Sequence, residues 1–146
     1  MIKKRAAAYA FAILFFLSVS KTVFGASAYK YADGIYKGLS GKDDRGAYGE
    51  VSITFNKGKI SDCIFVTYQK DGKIKNEDYG KVNGEISNRE YYDKAQLAVD
   101  AMEQYAQQLV EVQKLSKVDV IAGATVAHEQ FLDAVEDAFR QAKKAK

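Results

Sequence analysis

The sequence predicts an α+β fold, a small antiparallel sheet with two amphipathic helices packed on it. Two periodicities and one order predict it. Strand-like alternation occupies the first part of the chain beyond residue 28, and apolar residues at helical spacing occupy the last part. The resulting order of strands, helix, turn and helix is that of helices laid on one small sheet. Hydrophobic residues make up 47% of the 146, enough for a real core in a single domain.

Residues 1–28 read as a secretory signal peptide ahead of a domain at 29–146. Lys3, Lys4 and Arg5 form a basic start, an apolar run extends from Ala6 to about Val19, and Ala26-Ser27-Ala28 fits the cleavage rule. The apolar run is short for a span that needs roughly 20 residues, so export with cleavage is expected, with an uncleaved anchor as the competing reading. The mature protein then starts at Tyr29, in a periplasmic or extracellular location.

In the domain, Asp33-Gly34 is a turn and Ile35–Leu39 a short strand, followed by a polar loop from Ser40 to Gly49. Val51, Ile53 and Phe55 alternate with Ser52 and Thr54, the pattern of a half-buried strand. Asn56-Lys57-Gly58-Lys59 supplies a hairpin turn, and Ile60–Gln69 returns with Ile60, Ile64 and Val66 expected on one face. Asp71-Gly72 turns the chain again, with Ile74 ending a strand and a polar loop running to Ser87. Ser87-Asn88-Arg89-Glu90 matches a capping box, so a helix is expected to start there. Its inward stripe is Tyr92, Ala95, Val99, Met102, Tyr105, Ala106 and Leu109. A connection at 112–119 precedes a second helix from about Val126 to Ala142, with Phe131, Leu132, Val135, Ala138 and Phe139 inward and Lys143, Lys144 and Lys146 at its end.

Charge and cysteine usage exclude several functions. The formal net charge of +3 rests on Lys3, Lys4, Arg5 and Lys21; beyond residue 28 there are 18 basic against 19 acidic residues. No nucleic-acid partner is expected from such a balance. A single cysteine, Cys63, permits neither an intramolecular disulfide nor a cysteine-rich zinc site, and a buried free thiol is expected of it. With one histidine, His128, no metal site and no hydrolytic triad is expected. The acidic pairs Asp43-Asp44, Glu77-Asp78 and Glu136-Asp137 are read as solvated surface.

One constellation carries chemistry. Asp119-Val120-Ile121-Ala122-Gly123-Ala124-Thr125 stands directly ahead of the second helix. It resembles the flavin-attachment motif D-x-x-[S/T]-G-A-T of the FMN-binding domain family, which includes flavin subunits of Rnf and sodium-pumping NADH:quinone reductase complexes and small exported flavoproteins. Asp119, Gly123, Ala124 and Thr125 match; Ala122 departs at the fourth place, and Ala127 and His128 stand where many members carry hydroxyls. Tyr31–Gly38, Gly49–Ile60 and Lys70–Lys75 resemble further blocks of the family, so the likeness covers nearly the whole mature chain.

The resemblance implies FMN joined by a phosphoester to Thr125, made from FAD with magnesium by a separate, transiently bound flavin transferase. It implies cofactor contacts by Asp119, Gly123, Ala124 and Thr125, and an electron-carrying flavoprotein with no substrate turnover of its own; His128, in the first turn of the second helix, is a further candidate for the FMN phosphate or a flavin edge, with a plain solvated residue as the alternative. A membrane-bound or extracellular redox protein is the implied partner. The physics agrees, since a phosphate on Thr125 would meet the free N–H groups of a helix start, and Gly123 would let a bulky donor approach. In its plainest role Thr125 would be the N-cap of that helix. Noncovalent flavin, or a flavin-free binding or structural module on the same fold, is the alternative that Ala122 motivates. Tyr48, Tyr68, Tyr79, Tyr91 and Tyr92 are candidate stacking partners for a flavin ring, and the Met and Tyr stripe of the first helix is read as core.

Overall fold

The computed structural model describes residues 29–145, so the expected signal peptide at 1–28 lies outside the described residues. Strands β1 (Gly34–Leu39), β2 (Tyr48–Asn56) and β3 (Lys59–Tyr68) form one antiparallel sheet in the order β1-β2-β3. Helices α1 (Arg89–Val112) and α2 (Thr125–Lys144) both pack on one face of it, α1 over β3 and α2 over β1 and β2. A short 3-10 turn, Leu115–Lys117, lies in the connection between them. This is the α+β arrangement that the two periodicities predict. Among the described residues no helix is long and apolar enough to cross a membrane.

Strand β2 follows its alternation, with Val51, Ile53 and Phe55 buried under the helices. At the β2–β3 turn Lys57 (φ 50°) and Gly58 (φ 74°) are both left-handed, the tight turn whose twist matches that of the strands. The inward face of β3 differs from the expectation. Thr54 pairs with Asp62 and Phe55 with Ile60, so Ser61 is an extra residue and the ladder bulges there. A one-residue bulge inverts the faces beyond it. Ile60 is therefore buried together with Cys63, Phe65 and Thr67, while Ile64 is exposed and Val66 only half-buried. Ile74 extends no strand and forms a single bridge to Tyr68.

The burial of Cys63 pushes its thiol up to about 12, with the Asp62 carboxylate adding to the effect. The thiolate is the reactive form, so at pH 8 the native thiol is expected to resist a disulfide reagent and to react once the chain is unfolded. Rapid labelling of the folded protein would contradict that placement.

Helix α1 starts one residue later than the capping box suggests. Asn88, not Ser87, is the cap, and its Oδ1 accepts the N–H of Tyr91 (3.0 Å). Glu90 falls at the second helical position and pairs with Lys94 (2.7 Å), so the reciprocal box is not formed. Ala95, Ala101, Met102, Tyr105, Ala106 and Leu109 are buried, close to the expected stripe, with Tyr92 and Val99 at its half-buried margin. Where α1 ends, Gln113 is left-handed (φ 57°), and its side chain accepts from the Ile60 N–H (2.9 Å) and donates to the Ile60 carbonyl (2.7 Å). That pair ties the helix to the start of β3.

Helix α2 lies unusually close to β1. A Cβ built on Gly38 would stand 1.9 Å from the Ala134 carbonyl oxygen and 2.6 Å from the Ala138 nitrogen. The same helix covers the open edge of β1 with side chains. Asp137 Oδ2 accepts the Leu39 N–H (3.0 Å), Asp133 Oδ2 accepts the Gly41 N–H (2.8 Å), and Gln141 donates to the Lys37 carbonyl. Asp137 is thus no solvated acid: Arg140, above all, and the Leu39 N–H hold its carboxyl below the usual range. Covering part of the edge in this way blunts a template for strand addition. Asp43 also differs from the surface reading, because its Oδ1 accepts the N–H groups of Arg45 and Ala47 (both 2.9 Å) and shapes the β1–β2 loop.

Candidate functional site

Residues 118–124 carry the chain from the 3-10 turn to α2, and α1 pins them from below. The fully buried Tyr105 accepts the Ile121 N–H on its hydroxyl oxygen (2.9 Å) and donates to the Ala124 carbonyl (3.2 Å). Gln108 bonds both backbone groups of Asp119, accepting its N–H (2.8 Å) and donating to its carbonyl (3.4 Å). His128 donates from Nε2 to the Val118 carbonyl (3.2 Å), and its ring rests against that of Tyr105 at 5.2 Å. The loop is held by three side chains, Tyr105, Gln108 and His128, that the 119–125 motif itself does not contain.

Removing the Tyr105 hydroxyl tests this support. Tyr105→Phe strands the Ile121 N–H and takes from the Ala124 carbonyl one of its two donors, leaving it the His128 N–H. We expect a loss of about 1–3 kcal/mol in urea unfolding. An unchanged midpoint would show that the loop does not depend on this hydroxyl.

The start of α2 differs from the expectation in a way that matters. The N-cap is Ala124 (φ −127°, ψ 33°), which has no side chain to offer, and Thr125 is the first helical residue. Thr125 is therefore not a cap: it is exposed, and its hydroxyl makes no hydrogen bond among the described residues. The first helical bond runs from the His128 N–H to the Ala124 carbonyl, so the N–H groups of Thr125, Val126 and Ala127 remain unclaimed within the described chain. Gly123 has φ +84°, a conformation that side-chain-bearing residues rarely adopt, whereas a Cβ there would meet only Leu97 at 3.4 Å. Glycine is required at this turn by backbone conformation more than by lack of space.

Thr125 opens onto a cleft of about 1130 Å³, walled by the β1–β2 loop, the segment after β3, the first turns of α1 and the start of α2. Gly123, Ala124 and Thr125 line it; Asp119 and His128 do not. The Asp119 carboxylate is exposed and unbonded, and His128 is spent on the loop. Among the five candidate tyrosines, Tyr79 and Tyr91 line the cleft. Tyr48 and Tyr68 stack on each other (5.1 Å), and Tyr92 donates to the Glu77 carbonyl (2.9 Å).

Sequence reasoning missed the charged lining. Arg45, Lys70, Lys75 and Lys94 face Asp43, Asp44 and Asp71 around the cleft. Lys75 is half-buried over the Tyr79 ring (5.0 Å) without a salt bridge, and burial lowers its ammonium below the usual range, with Asp43 opposing the shift. Burial, reinforced by neighbouring Tyr91, pushes the Tyr79 phenol up. Gln130 was missed as well, although a glutamine among Ala127, Phe131 and Ala134 is a visible break in an apolar stripe.

These residues fit a flavin nucleotide. Three free amides and nearby cations suit a phosphate, and two tyrosines suit a planar ring. A buried oxygen without a partner, Gln130 Oε1, marks an unmet acceptor in the same wall.

Comparison with known proteins bears on the family and on the fold. A family described as FMN-binding domain matches residues 46–140, more than half of the chain and inclusive of the 119–125 loop. A crystal structure of a Clostridium perfringens protein superposes with a TM-score of 0.63 at 24% identity, covering 80% of this chain and 92% of that one. A solution NMR structure of a Clostridium thermocellum protein reaches 0.46 at 23% identity, covering 76% of this chain and 92% of that one. No curated protein matches significantly.

Proposed function

Since the chain belongs to the FMN-binding domain family, we propose that it is an exported flavoprotein that carries electrons outside the cytoplasmic membrane, with FMN joined by a phosphoester to Thr125. The observation that carries the reading is the exposed, unbonded hydroxyl of Thr125 beside three unclaimed amides at a cleft whose lining includes Arg45, Lys70, Lys75 and Lys94. The helix start favours an anion there, and Lys75 and Arg45 balance its charge. Tyr79 and Tyr91 are the residues to hold the ring. When bound, FMN accepts one or two electrons, which lets such a domain link donors and acceptors of different electron number.

Attachment falls to a transferase that uses FAD and magnesium. The Thr125 oxygen forms the new P–O bond, the pyrophosphate bond of FAD breaks, AMP leaves, and the hydroxyl proton is released. The exposure of Thr125 supports access by such an enzyme. Ala122 is exposed within a turn, so the hydroxyl absent there bears on transferase recognition and not on the fold. Export rests on the charge and hydropathy of residues 1–28, and a membrane-bound or extracellular redox protein is the partner it implies.

Co-expression of the full chain with a flavin transferase tests the reading. The exported protein is denatured, and its intact mass and in-gel fluorescence are recorded. A gain of one FMN less one water supports the phosphoester, and N-terminal sequencing that starts at Tyr29 supports the cleavage. A colourless protein of unmodified mass, with flavin and transferase supplied, would sink both forms of flavin binding. Ala122 favours one second reading, noncovalent FMN, which predicts colour lost on denaturation. If Ala122 weakens recognition, Ala122→Ser raises the flavinylated fraction.

A further inference from the structure

Gln130 is 5% exposed on the inward stripe of α2 and lines the cleft that Thr125 opens. Its Nε2 donates to the Ala47 carbonyl (3.2 Å) and, more weakly, to Asp43 Oδ2 (3.4 Å). Those two acceptors decide which end of the amide is which, because a flipped amide would set oxygen against oxygen. Oε1 is then buried with no partner, the one such side-chain atom among the described residues. The neighbouring buried hydroxyl of the wall, Thr67, does not serve it, since Thr67 Oγ1 donates to Met102 Sδ (3.2 Å). A buried orphan acceptor is rare and asks for an explanation.

We propose that Gln130 Oε1 accepts a hydrogen bond from a polyol hydroxyl of the bound ligand, which in a flavin nucleotide belongs to the ribityl chain. The inference rests on the flavin reading but not on the phosphoester. An ionised phosphate diester offers acceptors only and cannot satisfy an oxygen, so within the ligand the donor lies in another part. Gln130 lies five residues beyond Thr125, roughly 7.5 Å along the helix axis. The polyol, which joins the phosphate to the ring, is the part of a flavin nucleotide that carries hydroxyl donors.

The test titrates the full chain, made without transferase, with riboflavin and with lumiflavin, which has a methyl group in place of the ribityl chain. Neither carries a phosphate, so neither can be joined to Thr125, and the result is independent of attachment. Riboflavin is expected to bind roughly five- to tenfold tighter, the worth of one hydrogen bond to an otherwise unsatisfied group. Gln130→Met should bring the two affinities together, while the same change at Gln104, exposed on α1 and away from the cleft, should preserve the preference. Should Gln130→Met not fold, the side-chain amide resonance of Gln130 in the isotope-labelled wild type serves instead: it shifts with riboflavin and not with lumiflavin. Equal affinities in the wild type, a preference that survives Gln130→Met, or an amide that responds to both ligands alike overturns the proposal. Failure of the wild type to bind either flavin also overturns it, and the mass assay then decides separately whether Thr125 is modified.

Discussion

Thr125→Ala is expected to abolish the covalent mass gain completely while leaving the stability of the domain within about 0.5 kcal/mol of the wild type. The two halves of that expectation come from the same observation. Thr125 is exposed, contributes no cap and bonds nothing among the described residues, so the fold has little use for its hydroxyl. Had it been the N-cap, its loss would cost roughly 1 kcal/mol, and stability and flavin content would fall together. Intact mass and urea unfolding, measured on one preparation, separate these cases. Thr125→Ser keeps the nucleophile at the same helical position and should retain some flavin. A full mass gain in Thr125→Ala would place the attachment elsewhere.

Gly38→Ala should destabilise the domain by about 3 kcal/mol or more, at or beyond the upper end of what overpacking usually costs. The clash is with backbone, the Ala134 carbonyl oxygen at 1.9 Å and the Ala138 nitrogen at 2.6 Å, and no rotamer change relieves it. Helix α2 would have to lift from β1, loosening the Asp137 and Asp133 contacts to Leu39 and Gly41. Small domains are stable by only about 5–15 kcal/mol, so a loss of this size is a large share of the whole. Because α2 also carries Thr125 and Gln130, the variant should lose riboflavin binding as the helix shifts. Equal urea midpoints for the two proteins would refute the close approach.

Much of the framework is legible in the chain. Val51, Ile53 and Phe55 announce β2, and the stripe from Ala95 to Leu109 announces α1, because burial on one face leaves its period in the residues. The inversion of β3 is not legible, since Ile60, Ile64 and Val66 form a plausible face until the bulge at Ser61 shifts the register. Asp137 reads as solvated surface and nothing in the chain singles out Asp133 or Gln141; only the approach of β1 turns them into partners for a strand edge. In the same way Asp119 of the motif and His128 just beyond it lie off the cleft, while Lys75, Tyr79, Tyr91 and Gln130 line it from three separate stretches of sequence.

The sequence by itself determined the class of fold, the family and the threonine at issue, because these depend on local periodicity and on one short run of residues. The tertiary structure alone decided that Thr125 is free and not a cap, which cations and rings share its cleft, and that Gln130 holds an unmet acceptor there. Those facts depend on which surfaces meet when two helices close on a sheet, and contact between residues as distant as Asp43 and Gln130 leaves no period in a chain to read.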